Sequence, residues 1–340
     1  MNIYNRRYTG SKYKLVNWIK ELLIKNCPDC KSFFDVFGGT GVVTASMLDI
    51  YENFTINDFL FSNEIIYKAF FNKDIYNENK LNEIVDLYNK KDKTKLGDNY
   101  VSKNFGNKYF SYNDAKLIGW IREDLDKKLL KNEITKHEFD ILVASLLYSF
   151  DKIANTCGHY DAYIKRKTIP DTFIFSLISP IDTKNKEINI YREDANKLVK
   201  IIRADIAFID PPYNSRQYSR FYHVLENIAQ WKKPNLSGIA MKPPAENMSE
   251  YCRSNATTQF SDLINNLNVK YIAVTYNNTY NSKSNSSKNK ITLQEIKSIL
   301  DTKGETKVYE KAHRCFNAGK TEFDDHKEFV FITKVGEFND

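Results

Sequence analysis

The 340-residue sequence predicts an α/β fold, a mixed and mainly parallel sheet with a mostly helical subdomain inserted into it. Three observations carry this. The apolar run Ile206-Ala207-Phe208-Ile209 ends in Asp210-Pro211-Pro212-Tyr213, and Ser32-Phe33-Phe34-Asp35-Val36-Phe37 runs straight into Gly38-Gly39-Thr40-Gly41 and a helix-like stretch. Between the two lies more than a hundred residues of charged, aromatic-rich helical pattern with no strand alternation.

Taken in order, Lys14 to Ile24 repeats apolar residues at three- and four-residue steps and predicts a helix. Ser32 to Phe37, the glycine turn and the helix from Val42 to Ile50 form the first half of a βαβ unit. Thr55 to Phe59 is the second strand, with Asp58 near its end. Helical patterns over Asn82 to Lys91, Asn113 to Lys131 and Lys136 to Asn155 then dominate. Sheet signals resume at Glu187 to Tyr191, followed by Asp194, a helix over Ala195 to Ile202 and the strand leading to Asp210. Tyr222 to Trp231 reads as a helix, Pro243-Pro244 as a loop and Lys270 to Tyr276 as a strand. Asn277 to Lys290 has too little apolar surface to pack and reads as a mobile loop. A helix over Thr292 to Leu300 and strands near Thr306 to Tyr309 and Glu328 to Thr333 follow. The predicted division is a core of residues 1–59 and 186–340 around an insert of residues 60–185.

With 42% hydrophobic and 14% aromatic residues, the chain can bury a large core. A net charge of +7 favours a polyanionic partner, although surface solvation alone would also account for it. Five cysteines, an odd count, argue for reduced thiols. Cys27-Pro28-Asp29-Cys30 is the one pair with metal or redox spacing. Cys157, Cys252, Cys315 and the five histidines offer no second close pair, so no metal is expected. There is no Walker lysine motif and no stretch long enough to span a membrane, which leads us to expect a cytoplasmic protein without a membrane partner.

The chemistry concentrates at two predicted strand ends. Consecutive prolines hold a chain extended and lack N–H groups, so Asp210 and the Pro211 carbonyl form a stiff, acceptor-rich corner. Together they suit an amino group with two hydrogens to donate, and Tyr213 suits stacking on the ring that bears it. The bland alternative is a strand followed by a Pro-Pro turn. At the other end, Gly38, Gly39 and Gly41 allow close backbone approach before a helix amino terminus. The dinucleotide fingerprint G-x-G-x-x-G is not matched, and Phe37-x-Gly39-x-Gly41 suits an amino-acid carboxylate better than a pyrophosphate. Asp58, about seventeen residues further on, lies near the interval expected for a ribose-gripping acid. A tight βα turn is the alternative here.

In combination, Arg7-Tyr8-Thr9-Gly10-Ser11-Lys12-Tyr13-Lys14-Leu15, Asp35 to Gly41, Asp58 and Asp210 to Tyr213 resemble the ordered motifs of Dam-like, alpha-group DNA adenine-N(6) methyltransferases. Asn214-Ser215-Arg216-Gln217-Tyr218 and Thr275-Tyr276-Asn277 are similar to members found in type II restriction-modification systems. The resemblance runs from about Tyr8 to Thr333 and is weakest over the helical insert. It implies a Rossmann-like, S-adenosylmethionine-dependent core, a target-recognition insert and no metal. The implied substrate is double-stranded DNA, and a cognate restriction endonuclease encoded separately is the implied partner. It also implies catalytic roles for Asp210, Pro211, Pro212 and Tyr213, and cofactor contacts from Tyr8, Lys12, Asp35, Phe37, Gly38, Gly39, Gly41, Asp58, Asp194 and Asp210. Tyr8 and Ser11 stand where some relatives have Trp and Gly.

A target amine inside a duplex must be flipped out, and sequence choice then falls to the insert. Asn155, His159 and Tyr160, followed by Lys165, Arg166 and Lys167, form the candidate DNA-reading segment, with Arg216 beyond the tetrapeptide. A buried turn beside a solvated basic run is the alternative, and Lys283, Lys288 and Lys290 read as ordinary solvated chain, with phosphate contact as their alternative. Other acceptors, cytosine-N(4), RNA adenine or a protein glutamine amide, remain open at this point, as does a catalytically silent DNA-binding module.

Overall fold

The computed structural model describes residues 1–280, 288–312 and 326–336. In chain order it contains α1 (Val16–Asn26), β1 (Ser32–Asp35), α2 (Val42–Met47), β2 (Asn53–Asn57), α3 (Phe61–Phe71), α4 (Glu78–Asn89), α5 (Tyr100–Phe105), α6 (Tyr112–Leu130) and α7 (Lys136–Ile153). These are followed by β3 (Glu187–Tyr191), α8 (Ala195–Leu198), β4 (Arg203–Ile209), α9 (Tyr218–Phe221), α10 (His223–Gln230), α11 (Ala256–Asn266), β5 (Asn268–Asn277), α12 (Leu293–Asp301), β6 (Gly304–Ala312) and β7 (Lys327–Val335).

Seven strands form one sheet in the order β3-β2-β1-β4-β5-β7-β6. The first five are parallel, and β7 runs antiparallel to both β5 and β6. The chain therefore winds one way from β1 to β3 and the other way from β4 onward. The carboxyl ends of β1 and β4 lie side by side at that reversal, with Asp35 level with Phe208. Crevices outside such reversals are where open α/β sheets hold ligands.

Alternation along β1 sends Phe34 to a core with Ala207, Ile272, Phe260, Leu263 and Ile296. Phe33 faces the other way and stacks with Tyr51 and Phe208 at ring separations of 5.3 and 6.1 Å. Apolar side chains on both faces explain why the strands read as continuous apolar runs.

Two compact units are distinguishable, one holding the sheet (10–59, 184–218 and 247–340) and one mainly helical (1–9, 60–183 and 219–246). In the helical unit α7 is buried on nearly every side, and α3, α6 and α10 pack against it. α3 begins after Leu60, which cannot cap it; Glu226 of α10 instead accepts from the Phe61 and Ser62 amides at 3.0 and 2.8 Å. That remote cap explains why α3 carries no start signal in its own sequence. Among the described residues no helix is long and apolar enough to cross a membrane.

Candidate active site

The β4 strand delivers Asp210 at its carboxyl end, and three side chains converge on one oxygen of that carboxylate. Lys12 Nζ lies 2.9 Å from Oδ1, Thr275 Oγ1 donates to it at 2.8 Å, and the Tyr213 hydroxyl donates to it as well. Lys12 Nζ also donates to the Tyr213 hydroxyl at 2.7 Å. With Lys12 only 4% exposed, this is a fixed ion pair rather than a surface contact. Burial works to lower the Lys12 pKa, but the carboxylates of Asp210 and Glu328 outweigh it and hold the ammonium above its ordinary value. Burial, then Asp210, pushes the Tyr213 phenol well up, so it remains a donor. The second Asp210 oxygen has no hydrogen-bond partner among the described residues. The corner thus has one oxygen anchored and one open.

Glu328 on β7, opposite Asn277 in the register, is a buried acid that our sequence reading missed. Its Oε2 has no partner, and burial lifts its pKa to about 7, with Lys12 opposing and Asp210 reinforcing that rise. A charged residue inside the apolar strand Lys327–Val335 was the available signal. Thr275 was noted within a motif, but no pattern announced its bond to Asp210.

Around the glycine turn the backbone is tightly held. Gly38 N donates to Asn57 O at 2.7 Å and Gly41 N to Gly38 O at 2.7 Å, and Gly39 N donates to Asp58 Oδ2 at 2.9 Å. Gly39 and Gly41 have φ of 54° and 76°, values that a side chain would strain. Asp35 is buried, with Thr44 Oγ1 donating to Oδ2 at 2.8 Å and Oδ1 left without a partner. Burial, only partly opposed by Thr44 and reinforced by Asp210 and Asp58, raises its pKa to about 7. Phe37 packs edge-on against Tyr251 at 5.1 Å. Asp194 caps α8 by accepting from Lys197 N at 3.2 Å. Asp35, the turn and Asp58 are therefore brought together, as are Lys12, Asp210 and Tyr213.

Tyr8 lies in the helical unit, stacked on Tyr222 at 4.9 Å with the buried Arg6 guanidinium 4.8 Å from its ring. In the candidate DNA-reading segment, two of the expected contact residues are committed internally. Asn155 is buried and donates to Lys108 O and Ile164 O, while the buried Tyr160 hydroxyl donates to Asp151 at 2.8 Å. Both hold the loop in shape. His159 stacks on Phe221 at 4.5 Å, and Lys165, Arg166 and Lys167 are exposed. In the sheet unit, the carbonyl of Arg216 accepts a hydrogen bond from Cys252 Sγ, and its amide donates to Asn214.

At Lys290, expected as ordinary solvated chain, the backbone N donates to Tyr213 O at 2.8 Å and so ties this residue to the tetrapeptide. Lys283 and Cys315 lie outside the described residues. Cys27 and Cys30 are free thiols pushed up to about 12, chiefly by burial, which leaves them poor nucleophiles.

A family model described as D12 class N6 adenine-specific DNA methyltransferase matches residues 8–280. The chain is 31% identical over 293 residues to Modification methylase LlaI of Lactococcus lactis subsp. lactis, an alignment covering 80% of this chain and 46% of that protein. It is 30% identical over 347 residues to Type II methyltransferase M.FokI of Planomicrobium okeanokoites, covering 96% and 52%. With Type II methyltransferase M.CviAII of Paramecium bursaria Chlorella virus 1 it shares 28% over 339 residues, covering 96% and 98%. The chain spans about half the length of the first two and nearly all of the third. It belongs to the D12 class N6 adenine-specific DNA methyltransferase family.

Proposed function

We propose that this chain transfers a methyl group from S-adenosylmethionine to the exocyclic N6 amine of an adenine flipped out of double-stranded DNA. Its setting would be the protective methylation of a restriction-modification system, as the names of its relatives suggest. The observation that carries this reading is the half-open carboxylate of Asp210. Lys12, Thr275 and Tyr213 hold Oδ1, which leaves Oδ2 and the Pro211 carbonyl to accept the two hydrogens of an amine.

The residues around the turn suit the cofactor. Asp35 Oδ1, buried and without a partner, fits the ammonium of an amino acid; the glycine turn fits its carboxylate; Asp58 fits ribose hydroxyls. When bound, S-adenosylmethionine supplies a sulfonium methyl that is already electrophilic. What the chain must then do is align and hold the nitrogen. Two acceptors on the amine hydrogens favour a tetrahedral nitrogen whose lone pair is free to attack, and the carboxylate stabilises the positive charge that develops there. The Lys12 pair keeps the Asp210 carboxylate oriented. We assign cofactor and chemistry to the sheet unit, a Rossmann-like core, and target recognition to the helical unit.

Expression in a methylation-free host followed by modified-base sequencing tests the proposal. Wild type should leave N6-methyladenine at one sequence context, and Asp210→Ala should leave none while remaining folded by circular dichroism, though it melts lower because Lys12 loses its buried partner. Methyl label found only in RNA or protein, or normal turnover by Asp210→Ala, would overturn it.

A further inference from the structure

We propose that the turn Ser237–Lys242 of the helical unit is a DNA-probing finger whose tip, Ile239, wedges into the base stack as the target adenine leaves it. This rests on the proposed function and names the residue that would hold the duplex open. The turn is closed by Ser237 N donating to Lys242 O and Lys242 N to Ser237 O, both at 2.9 Å, with Met241 N donating to Gly238 O at 3.1 Å. Gly238 has φ 71° with open space where a side chain would stand, and Met241 has φ 52°, which is strained for a residue with a side chain. Ile239 between them is 80% exposed, whereas most isoleucines of this chain lie in its core.

A solvated loop would relax such strain, but this one is anchored from below. The Ala240 carbonyl accepts from the Tyr109 hydroxyl at 2.9 Å and faces His223 Nε2 at 2.8 Å; Arg220 donates to Pro243 O at 2.6 Å. The same Tyr109 hydroxyl lies 2.7 Å from Tyr160 O, so its one hydrogen is shared between the two carbonyls, and Lys242 pairs with Asp161. The finger is therefore bolted to the loop that carries exposed Lys165, Arg166 and Lys167, none of which has a partner among the described residues. A stiff apolar tip tied to a loop that carries unpaired cations suits a duplex: the cations take phosphates, and a branched aliphatic side chain fills the gap that an extruded base leaves.

The test compares wild type, Ile239→Ala and Ile239→Leu on three duplexes: the matched site, the site with 2-aminopurine as target, and the site with its target adenine mispaired. Ile239→Ala should cut kcat/KM on the matched site by about tenfold or more and reduce the 2-aminopurine fluorescence gain. It should stay within about threefold of wild type on the mispaired site, where the base is already loosened. Ile239→Leu should retain most of the activity. Wild-type behaviour of Ile239→Ala on the matched site, or an equal loss on matched and mispaired sites, overturns the wedge while leaving the proposed function standing. Absence of duplex methylation by wild type sinks both.

Discussion

Asp35 and Glu328 are two buried acids, each with an oxygen lacking a partner, and each is held near pH 7 by burial first and by neighbouring carboxylates second. Their folded pKa values stand above the unfolded ones. Between about pH 4 and 7 the unfolded chain thus releases protons that the folded chain keeps, and stability falls as pH rises across that window. Asparagine at position 35 cannot ionise, so Asp35→Asn should flatten the decline and melt higher than wild type at pH 8, by an amount worth up to about 4 kcal/mol. The same variant should bind S-adenosylmethionine more weakly if, as proposed, Asp35 receives the ammonium of the cofactor. Thermal melts across pH with a cofactor titration check both halves; unchanged melting together with unchanged affinity would remove Asp35 from the site. At this scale the contiguous residues were legible in sequence, namely the tetrapeptide, the glycine turn and Asp58. The Lys12 pairing was not, because its partner Tyr213 is 201 positions away and no local pattern encodes a contact over that distance.

Among the elements, the long helices α6 and α7 follow their apolar periodicity to within two residues of the expected ends. Of those that escape it, α5 is a six-residue helix showing under two turns of pattern, α3 takes its cap from Glu226, and α11 starts after Asn255 with no side-chain cap. The six-residue α5 is held by its neighbour: Asn99 caps it through Val101 N and Ser102 N while donating to Lys116 O of α6. Gly119 of α6 makes room for that cap, since an added Cβ would lie 2.1 Å from Asn99 Oδ1. Helix propensity favours Gly119→Ala by about 1 kcal/mol, but the clash costs the cap and its packing, about 1–3 kcal/mol. We expect net destabilisation by urea titration; a more stable variant would show that Asn99 moves aside freely.

For the whole molecule, the net charge of +7 becomes informative once the cations are located. Replacing Lys165, Arg166 and Lys167 together by alanine should weaken DNA binding evenly across sequences and flatten the log–log salt dependence by up to about 3, since each phosphate contact contributes about 0.9. A salt slope equal to wild type would take these residues out of the interface. Strand content was readable from apolar runs, but strand order was not, because alternation tells a strand which face to bury and not which neighbour to choose. The placement of β7 between β5 and β6 shows this most clearly. It also bears on timing: β7 leaves the ribosome after the six other strands of this sheet, yet it occupies an interior place and brings Glu328 alongside Asn277. A nascent chain that has emerged only as far as β6 has β6 unpaired and the Lys12 ammonium without its second acid. The β5–β7–β6 pairing and the second acid near Lys12 therefore form only once β7 has been made.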